Sequence, residues 1–244
     1  MMRTVLLDLD DTLFDHRGCS RDALEAVRQG DASLGALPLE ELERQHAAVL
    51  EDLHREVMLG RMPLDLARRE RFRRLLAGSG GAASDAAAAA AAEAYRVRYR
   101  EVRRAVRGAV HFLEALRVRA RIGVVSNNLY DEQQDKLRVC GLDTFIDALV
   151  VSERAGVSKP DPGIFRMALE ALDATPDRTV MVGDSWTADI AGARAAGLHA
   201  VWFNPLRLPV PAGEVPVAEL HTLKPAGAAV RRILSPQLET ASPG

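Results

Sequence analysis

The sequence predicts an α/β fold: a parallel sheet flanked by helices and interrupted by an inserted helical segment. Three observations predict it. Short apolar runs of strand length alternate with stretches of helical length and spacing at the start of the chain and again after about residue 107. Residues from about 16 to 106 are instead rich in Ala, Leu, Glu and Arg and hold few strand-like runs. The first apolar run, Thr4-Val5-Leu6-Leu7, stops abruptly at Asp8, Asp10 and Asp11. Unpaired carboxylates cannot remain in a core, so this strand must emerge there, at the sheet edge where open α/β sheets bind ligands.

The elements follow in order. Thr4–Leu7 reads as a strand buried on both faces. Helices are predicted near 20–29, from Leu39 to Leu59, and from Pro63, which suits a first helical turn, to Leu76. Gly78-Ser79-Gly80-Gly81 is a break. Ser84 or Asp85 then caps a helix through the alanine run to about Val106. A helix at Ala109–Arg117 precedes a strand at Ile122–Val125. A helix at Asp131–Cys140, ended by Gly141, precedes a strand at Ala148–Val151. A helix at Pro162–Leu172, a strand at Thr179–Val182, a helix at Thr187–Ala196 stopped by Gly197 and a strand at His199–Trp202 complete the alternation. A short helix is predicted at Pro225–Leu234. Strands joined by helices of this length require right-handed crossovers and a parallel sheet, a Rossmann-like three-layer core. The layout assigns residues 1–15 and 107–244 to that core, 16–106 to an inserted helical domain, and 235–244 to a loose tail.

Composition narrows the function classes. Thirty-two basic and 34 acidic residues leave a net charge of −2 in 244 residues, which demands neither a nucleic acid polymer nor an anionic membrane as partner. No apolar stretch reaches the roughly 18–20 residues that span a bilayer, and the N-terminus reads as a strand, not as a signal peptide. A cytoplasmic protein is expected. Cys19 and Cys140 stand alone, without disulfide or metal-motif spacing. The six histidines have no partner legible in the sequence. Only three of the 32 basic residues are lysines, Lys136, Lys159 and Lys224, so a lysine that persists among arginines invites a specific reason.

Four strand exits carry polar residues suited to chemistry. Asp8 and Asp10 are two apart and project the same way in extended chain; two convergent carboxylates call for a cation between or beside them. Ser126-Asn127-Asn128 follows Ile122–Val125. Ser158-Lys159-Pro160-Asp161 follows the strand at Ala148–Val151. Gly183-Asp184-Ser185, with Asp189 beyond, follows Thr179–Val182. Each alone is an ordinary turn; all four at successive strand exits are hard to obtain by accident.

With these four in place the chain resembles the haloacid dehalogenase-like (HAD) superfamily and its phosphatase members. DLDDTL at Asp8–Leu13 is similar to the first family motif, Ser126 to the second, Lys159 in SKPDPGIF to the third, and GDSWTAD at Gly183–Asp189 to the fourth. The helical segment matches the family's C1 cap in type and position. The resemblance implies a phosphatase acting on a small phosphate ester through an aspartyl-phosphate. Asp8 would be the nucleophile, and Asp10 would protonate the leaving alcohol and then take a proton from water. That role implies a carboxyl raised by nearby negative charge at Asp10. Mg²⁺ would be held by the carboxylates of Asp8 and Asp184 and the backbone carbonyl of Asp10. Ser126, with backbone amides near Leu9, Asp10 and Asn127, would hold the phosphoryl oxygens, and Lys159 would offset charge on Asp8 and the phosphoryl group. Asp189 would orient Lys159 or a metal-bound water. Thr12 would support the loop through its hydroxyl, and Asp11 would hydrogen-bond locally.

A haloacid dehalogenase attacks carbon without metal and lacks aspartate at the place of Asp10, so Asp10 with Asp184 favours phosphate chemistry. A C1-capped phosphomutase shares all four motifs and stays open; a non-catalytic binding module would lack one of the motif residues, and none is lacking. His16, Arg17 and Arg61 are the candidate substrate contacts from the helical segment, each with a plain alternative as a solvated loop residue. The arginine-rich stretches 68–74 and 96–107 read as solvated helix faces paired with Glu70, Glu93 and Glu101. Nucleotides and sugar or organic phosphates fit an enclosed site equally, and both a monomer and a homodimer are compatible with the sequence.

Overall fold

Arg3–Leu7 forms β1, and the structure, a computed structural model, describes residues 3–81, 83–215 and 217–235. The chain divides into two compact units. One runs to Asp15 and resumes at Arg104; the other is His16–Arg103.

The first unit holds a six-stranded sheet in the order β3-β2-β1-β4-β5-β6, with every neighbouring pair parallel. Its other strands are β2 (Ala120–Ser126), β3 (Ala148–Val151), β4 (Thr179–Gly183), β5 (His199–Phe203) and β6 (Ala218–Leu220). From β1 the chain builds outward through β2 to β3, then returns to the other side of β1 with β4. The order therefore reverses beside β1, and such switch points are where open sheets bind ligands. Register carries this into detail. Leu7 lies opposite both Val124 of β2 and Val182 of β4, so the residues leaving β1, β2 and β4 emerge at one level.

Side chains alternate across the sheet. Leu6 and Met181 pack with Ile164, Phe165 and Leu169 and with Trp186 and Ile190 on one face. On the unit's helices, Ala109–Arg117 (α6) lies on β2 and packs against Ala226–Leu234, which lies on β4. The strand Ala218–Leu220 was not predicted. Three residues without a β-branched side chain, set in a proline-rich stretch, carry almost no periodic signal, and pairing with β5 decides their state. The predicted helix at Thr187–Ala196 is a π-helical turn, Trp186–Ala191, followed by a short α-helix, Gly192–Ala195. The tail expected at 235–244 lies outside the described residues from 236 onward. Among the described residues no helix is long and apolar enough to cross a membrane.

The second unit is all helical: α1 (His16–Gly30), α2 (Ala32–Gly35), α3 (Leu39–Met58), α4 (Leu64–Gly78) and α5 (Asp85–Glu101). Ser84 caps α5 by accepting from the Ala87 amide at 3.2 Å. Leu24, Val27, Leu34, Leu42, Phe72, Leu75 and Tyr95 form its core. The arginine-rich faces carry short-range ion pairs, Arg73 with Glu70, Arg96 with Glu93 and Arg98 with Glu101; at such exposure each stabilises little. The helix expected to reach Val106 stops at Glu101. Beyond it the backbone of the first unit takes over: Phe14 bridges Ala105, the Asp15 amide donates to Arg104 O at 3.1 Å, and the Val106 amide donates to Leu13 O at 2.8 Å.

His46 of α3 is buried 5.1 Å from the Tyr95 ring and 6.1 Å from Phe72. Burial, then the charges of Arg71 and His16, hold this imidazole well below the ordinary histidine value of 6.5. A neutral folded His46 and an unfolded one that protonates give the sign. Its contribution to stability is complete above 6.5 and is lost as pH falls below it, by at most about 1.4 kcal/mol per pH unit. Thermal unfolding should show the helical unit weakening between pH 7.5 and 5, and His46→Leu should flatten that slope; an unchanged slope in the variant would assign it to other groups.

Candidate active site

Asp8 is the first residue beyond β1, and its amide donates to Val182 O of β4 at 2.9 Å, so the sheet ladder continues into the site. The following turn closes on one carbonyl: Leu9 O accepts from the amides of Leu13 at 2.9 Å and Phe14 at 2.8 Å. Asp11 takes a left-handed backbone (φ 61) and donates its amide to Phe14 O at 2.7 Å; aspartate tolerates that conformation better than a branched residue. The hydroxyl of Thr12 has no hydrogen-bond partner among the described residues, although the side chain is fully buried. The support expected through that hydroxyl is not seen: backbone hydrogen bonds hold the turn.

Lys159 reaches this point from the loop after β3. Its Nζ donates to Asp8 Oδ1 at 2.6 Å, Asp189 Oδ1 at 2.6 Å and Val125 O at 2.7 Å, with 3% of the side chain exposed. All three ammonium protons are used. Asn127 pins the lysine backbone: its Nδ2 donates to Lys159 O at 2.8 Å and its Oδ1 accepts from the Lys159 amide at 2.7 Å. Ser126, at the end of β2, is buried, and its Oγ accepts from Gln133 Nε2 at 2.5 Å.

The loop after β4 supplies two more carboxylates. Asp189 lies on the π-helical turn, and its Oδ2 accepts from the Ser185 amide at 3.0 Å. A Cβ at position 183 would overlap the Asp189 carboxylate, so only glycine permits this approach. The Asp184 carbonyl accepts from Trp202 Nε1 at 2.8 Å, and Trp202 meets Trp186 edge-on at 4.9 Å. Carboxylate oxygens of Asp8, Asp184 and Asp189 all lie within 4.8 Å of one another. Three carboxylates converge here, two of them on one ammonium, and the donors are all hard oxygens; the group fits a small divalent cation. The electrostatics agree. Burial, together with the Asp189 and Asp184 carboxylates, pushes Asp8 well above the ordinary carboxylate range against the pull of Lys159. Burial alone would lower Lys159, but Asp189 and Asp8 outweigh it and hold its proton firmly.

Asp10 faces elsewhere. Lys136 Nζ donates to both of its carboxylate oxygens, at 2.6 and 2.8 Å, and Gln133 Nε2 donates to Oδ2 at 3.0 Å. The helix Tyr130–Val139 (α7) turns Gln133 and Lys136 inward, which sets an ammonium against the Asp10 carboxylate. Neither residue was among those predicted. Lys136 had a signal, as one of three lysines in an arginine-rich chain; Gln133 had none.

Asp8, Asp10, Ser126, Asn127, Lys159, Asp184 and Asp189 thus gather at the carboxyl edge of the sheet. His16, Arg17 and Arg61 belong to the helical unit. There His16 Nδ1 lies 2.7 Å from the Tyr99 hydroxyl, Arg17 is exposed, and Arg61 pairs with Glu56 at 3.4 Å.

The family model for haloacid dehalogenase-like hydrolases matches residues 2–197. A HAD-hydrolase, YfnB of Bacillus subtilis, is 30% identical over 224 residues, covering 91% of this chain and 92% of that protein. Its crystal structure bound to magnesium superposes with a TM-score of 0.74 at 29% identity, covering 96% of this chain and 99% of that one. The phosphoserine phosphatase of Thermus thermophilus is 34% identical, covering 83% of this chain and 89% of its own. The pyrimidine 5'-nucleotidase YjjG of Escherichia coli is 42% identical over 122 residues, 48% of this chain and 54% of that protein.

Removing one partner of a buried ion pair costs about 3–5 kcal/mol, because the remaining charge stays buried and unpaired. Lys159→Met is therefore expected to lower the unfolding free energy by about that amount, read by urea denaturation at pH 7.5. A loss below about 1 kcal/mol would show that the ammonium does not hold these carboxylates together.

Proposed function

This chain belongs to the haloacid dehalogenase-like hydrolases, and on that premise we propose that it is a magnesium-dependent phosphatase. Its substrate is a small phosphorylated metabolite, a nucleotide or a sugar or organic phosphate monoester, cleaved through an aspartyl-phosphate. The observation that carries this reading is the convergence of Asp8, Asp184 and Asp189 at a sheet switch point, with Asp8 and Asp189 sharing one buried lysine. Relatives named for phosphoserine and nucleotide phosphatase action support it.

In this scheme Asp8 attacks phosphorus in line with the ester bond. The phosphorus–oxygen bond to the alcohol breaks, and Asp10 delivers its proton to the departing oxygen. Asp10 then accepts a proton from water as that water attacks the aspartyl-phosphate, releasing phosphate and restoring Asp8. Ser126 and the backbone amides around Leu9, Asp10 and Asn127 hold the phosphoryl oxygens. Lys159 neutralises charge on Asp8 and the phosphoryl group. Asp189 accepts from Lys159 with one oxygen and from Ser185 with the other, and so aims the lysine. Asp8, Asp184 and the Asp10 carbonyl would hold a magnesium ion, which would supply positive charge beside the carboxylates and favour the ionised form of Asp8.

A phosphate-release screen over nucleotides, sugar phosphates and organic acid phosphates with Mg²⁺ tests the reaction class. Phosphate should appear, EDTA should abolish its release, and added Mg²⁺ should restore it. Metal-independent turnover would contradict the scheme, and isomerised ester without free phosphate would point to a phosphomutase. Asp8→Asn is expected to lower kcat by at least about 10³-fold, since the intermediate needs that carboxylate; near-normal turnover would exclude Asp8 as nucleophile.

A further inference from the structure

We propose that Lys136 and Gln133 are positioning residues for Asp10, and that Gln133 sets the acid in register with the phosphate-binding Ser126. The proposal rests on the reading of Asp10 as the general acid. Gln133 and Lys136 stand three residues apart on α7, on one helix face. Gln133 is fully buried and 6% of the Lys136 side chain is exposed, so neither is a solvated surface group that happens to approach Asp10. The ammonium donates to both Asp10 oxygens, and its nitrogen lies 5.2 Å from the centre of the Phe14 ring, which fixes it from a second side. Asp10 accepts here from two α7 side chains, and Asn128 Nδ2 approaches the same Oδ2 at 3.4 Å.

The Gln133 amide nitrogen spans two groups with different tasks, Ser126 Oγ at 2.5 Å and Asp10 Oδ2 at 3.0 Å. An ionised carboxylate only accepts, so the amide must present its NH₂ to Asp10. One buried side chain therefore relates the hydroxyl that holds the phosphoryl group to the carboxyl that meets the leaving oxygen. General acid catalysis depends on this distance, because the proton must reach the oxygen as the bond breaks. A lysine suits the place. Its compact charge sits between a carboxylate and a ring without the planar fork of arginine, in a chain where arginine is otherwise the rule.

The test uses leaving groups that differ in their need for a proton. Phenoxide leaves with difficulty unless protonated, whereas 4-nitrophenoxide leaves unaided. With the full chain and Mg²⁺, Lys136→Met is expected to lower kcat/KM on phenyl phosphate by about 10²-fold and on 4-nitrophenyl phosphate by less than about tenfold. Lys136→Arg, which keeps the charge, should recover most of the phenyl phosphate loss. The ratio of the two losses does not depend on how much protein is active, so a general folding defect leaves it unchanged; Lys136→Gln is read the same way if the methionine variant is not recovered folded. Equal losses on both esters, or no loss, would overturn the positioning role while leaving the phosphatase reading intact. A wild-type chain that releases phosphate from neither ester and from none of the screened metabolite phosphates would overturn the phosphatase reading itself, and this inference with it.

Discussion

One ammonium group holds the site together. Lys159 Nζ joins the loop after β1 through Asp8, the end of β2 through Val125 and the π-helical turn after β4 through Asp189. A charge this deeply buried is tolerable only when its protons are all taken and opposite charge is close. Each partner arrives from a different strand, so the interaction presupposes the register that aligns Leu7 with Val124 and Val182. A slip of one residue in β1 would send Asp8 to the other face of the sheet. Sheet pairing and site geometry are in this sense one constraint, met by the same backbone.

The two aspartates that begin the motif show how environment separates like groups. Asp8 continues the β1–β4 ladder, sits among other carboxylates and meets one shared lysine. Asp10 is turned toward α7 and has an ammonium on both of its oxygens. Two residues apart in sequence, they belong to different charge clusters, so like side chains meet unlike surroundings.

Much of this was legible in the sequence, for identifiable reasons. Val5 to Leu7 and Val180 to Val182 are apolar because both faces of a central parallel strand are covered, and that run is visible without coordinates. Asp8, Ser126, Lys159 and Asp184 could be picked out because polar residues interrupt such runs at the point of exit. What escaped was set by contacts between distant segments. Ala218–Leu220 becomes a strand only beside β5. The helix before Val102 ends where Ala105 pairs with Phe14. Gln133 looks like any polar helical residue until the fold turns it toward Ser126 and Asp10. The π-helical turn at Trp186–Ala191 follows no pattern that separates it from an ordinary helix, yet it carries Asp189 to Lys159.

The paired segments on either side of the helical unit have a consequence of their own. Residues 13–15 and 104–106 run side by side, hydrogen-bonded to each other within the sheet-bearing unit. The two ends of the excursion are therefore already tied, and closing them costs little whatever length of chain lies between. A lineage could lengthen, shorten or exchange the whole insert without disturbing the sheet-bearing unit, much as a tool head is swapped on a fixed handle.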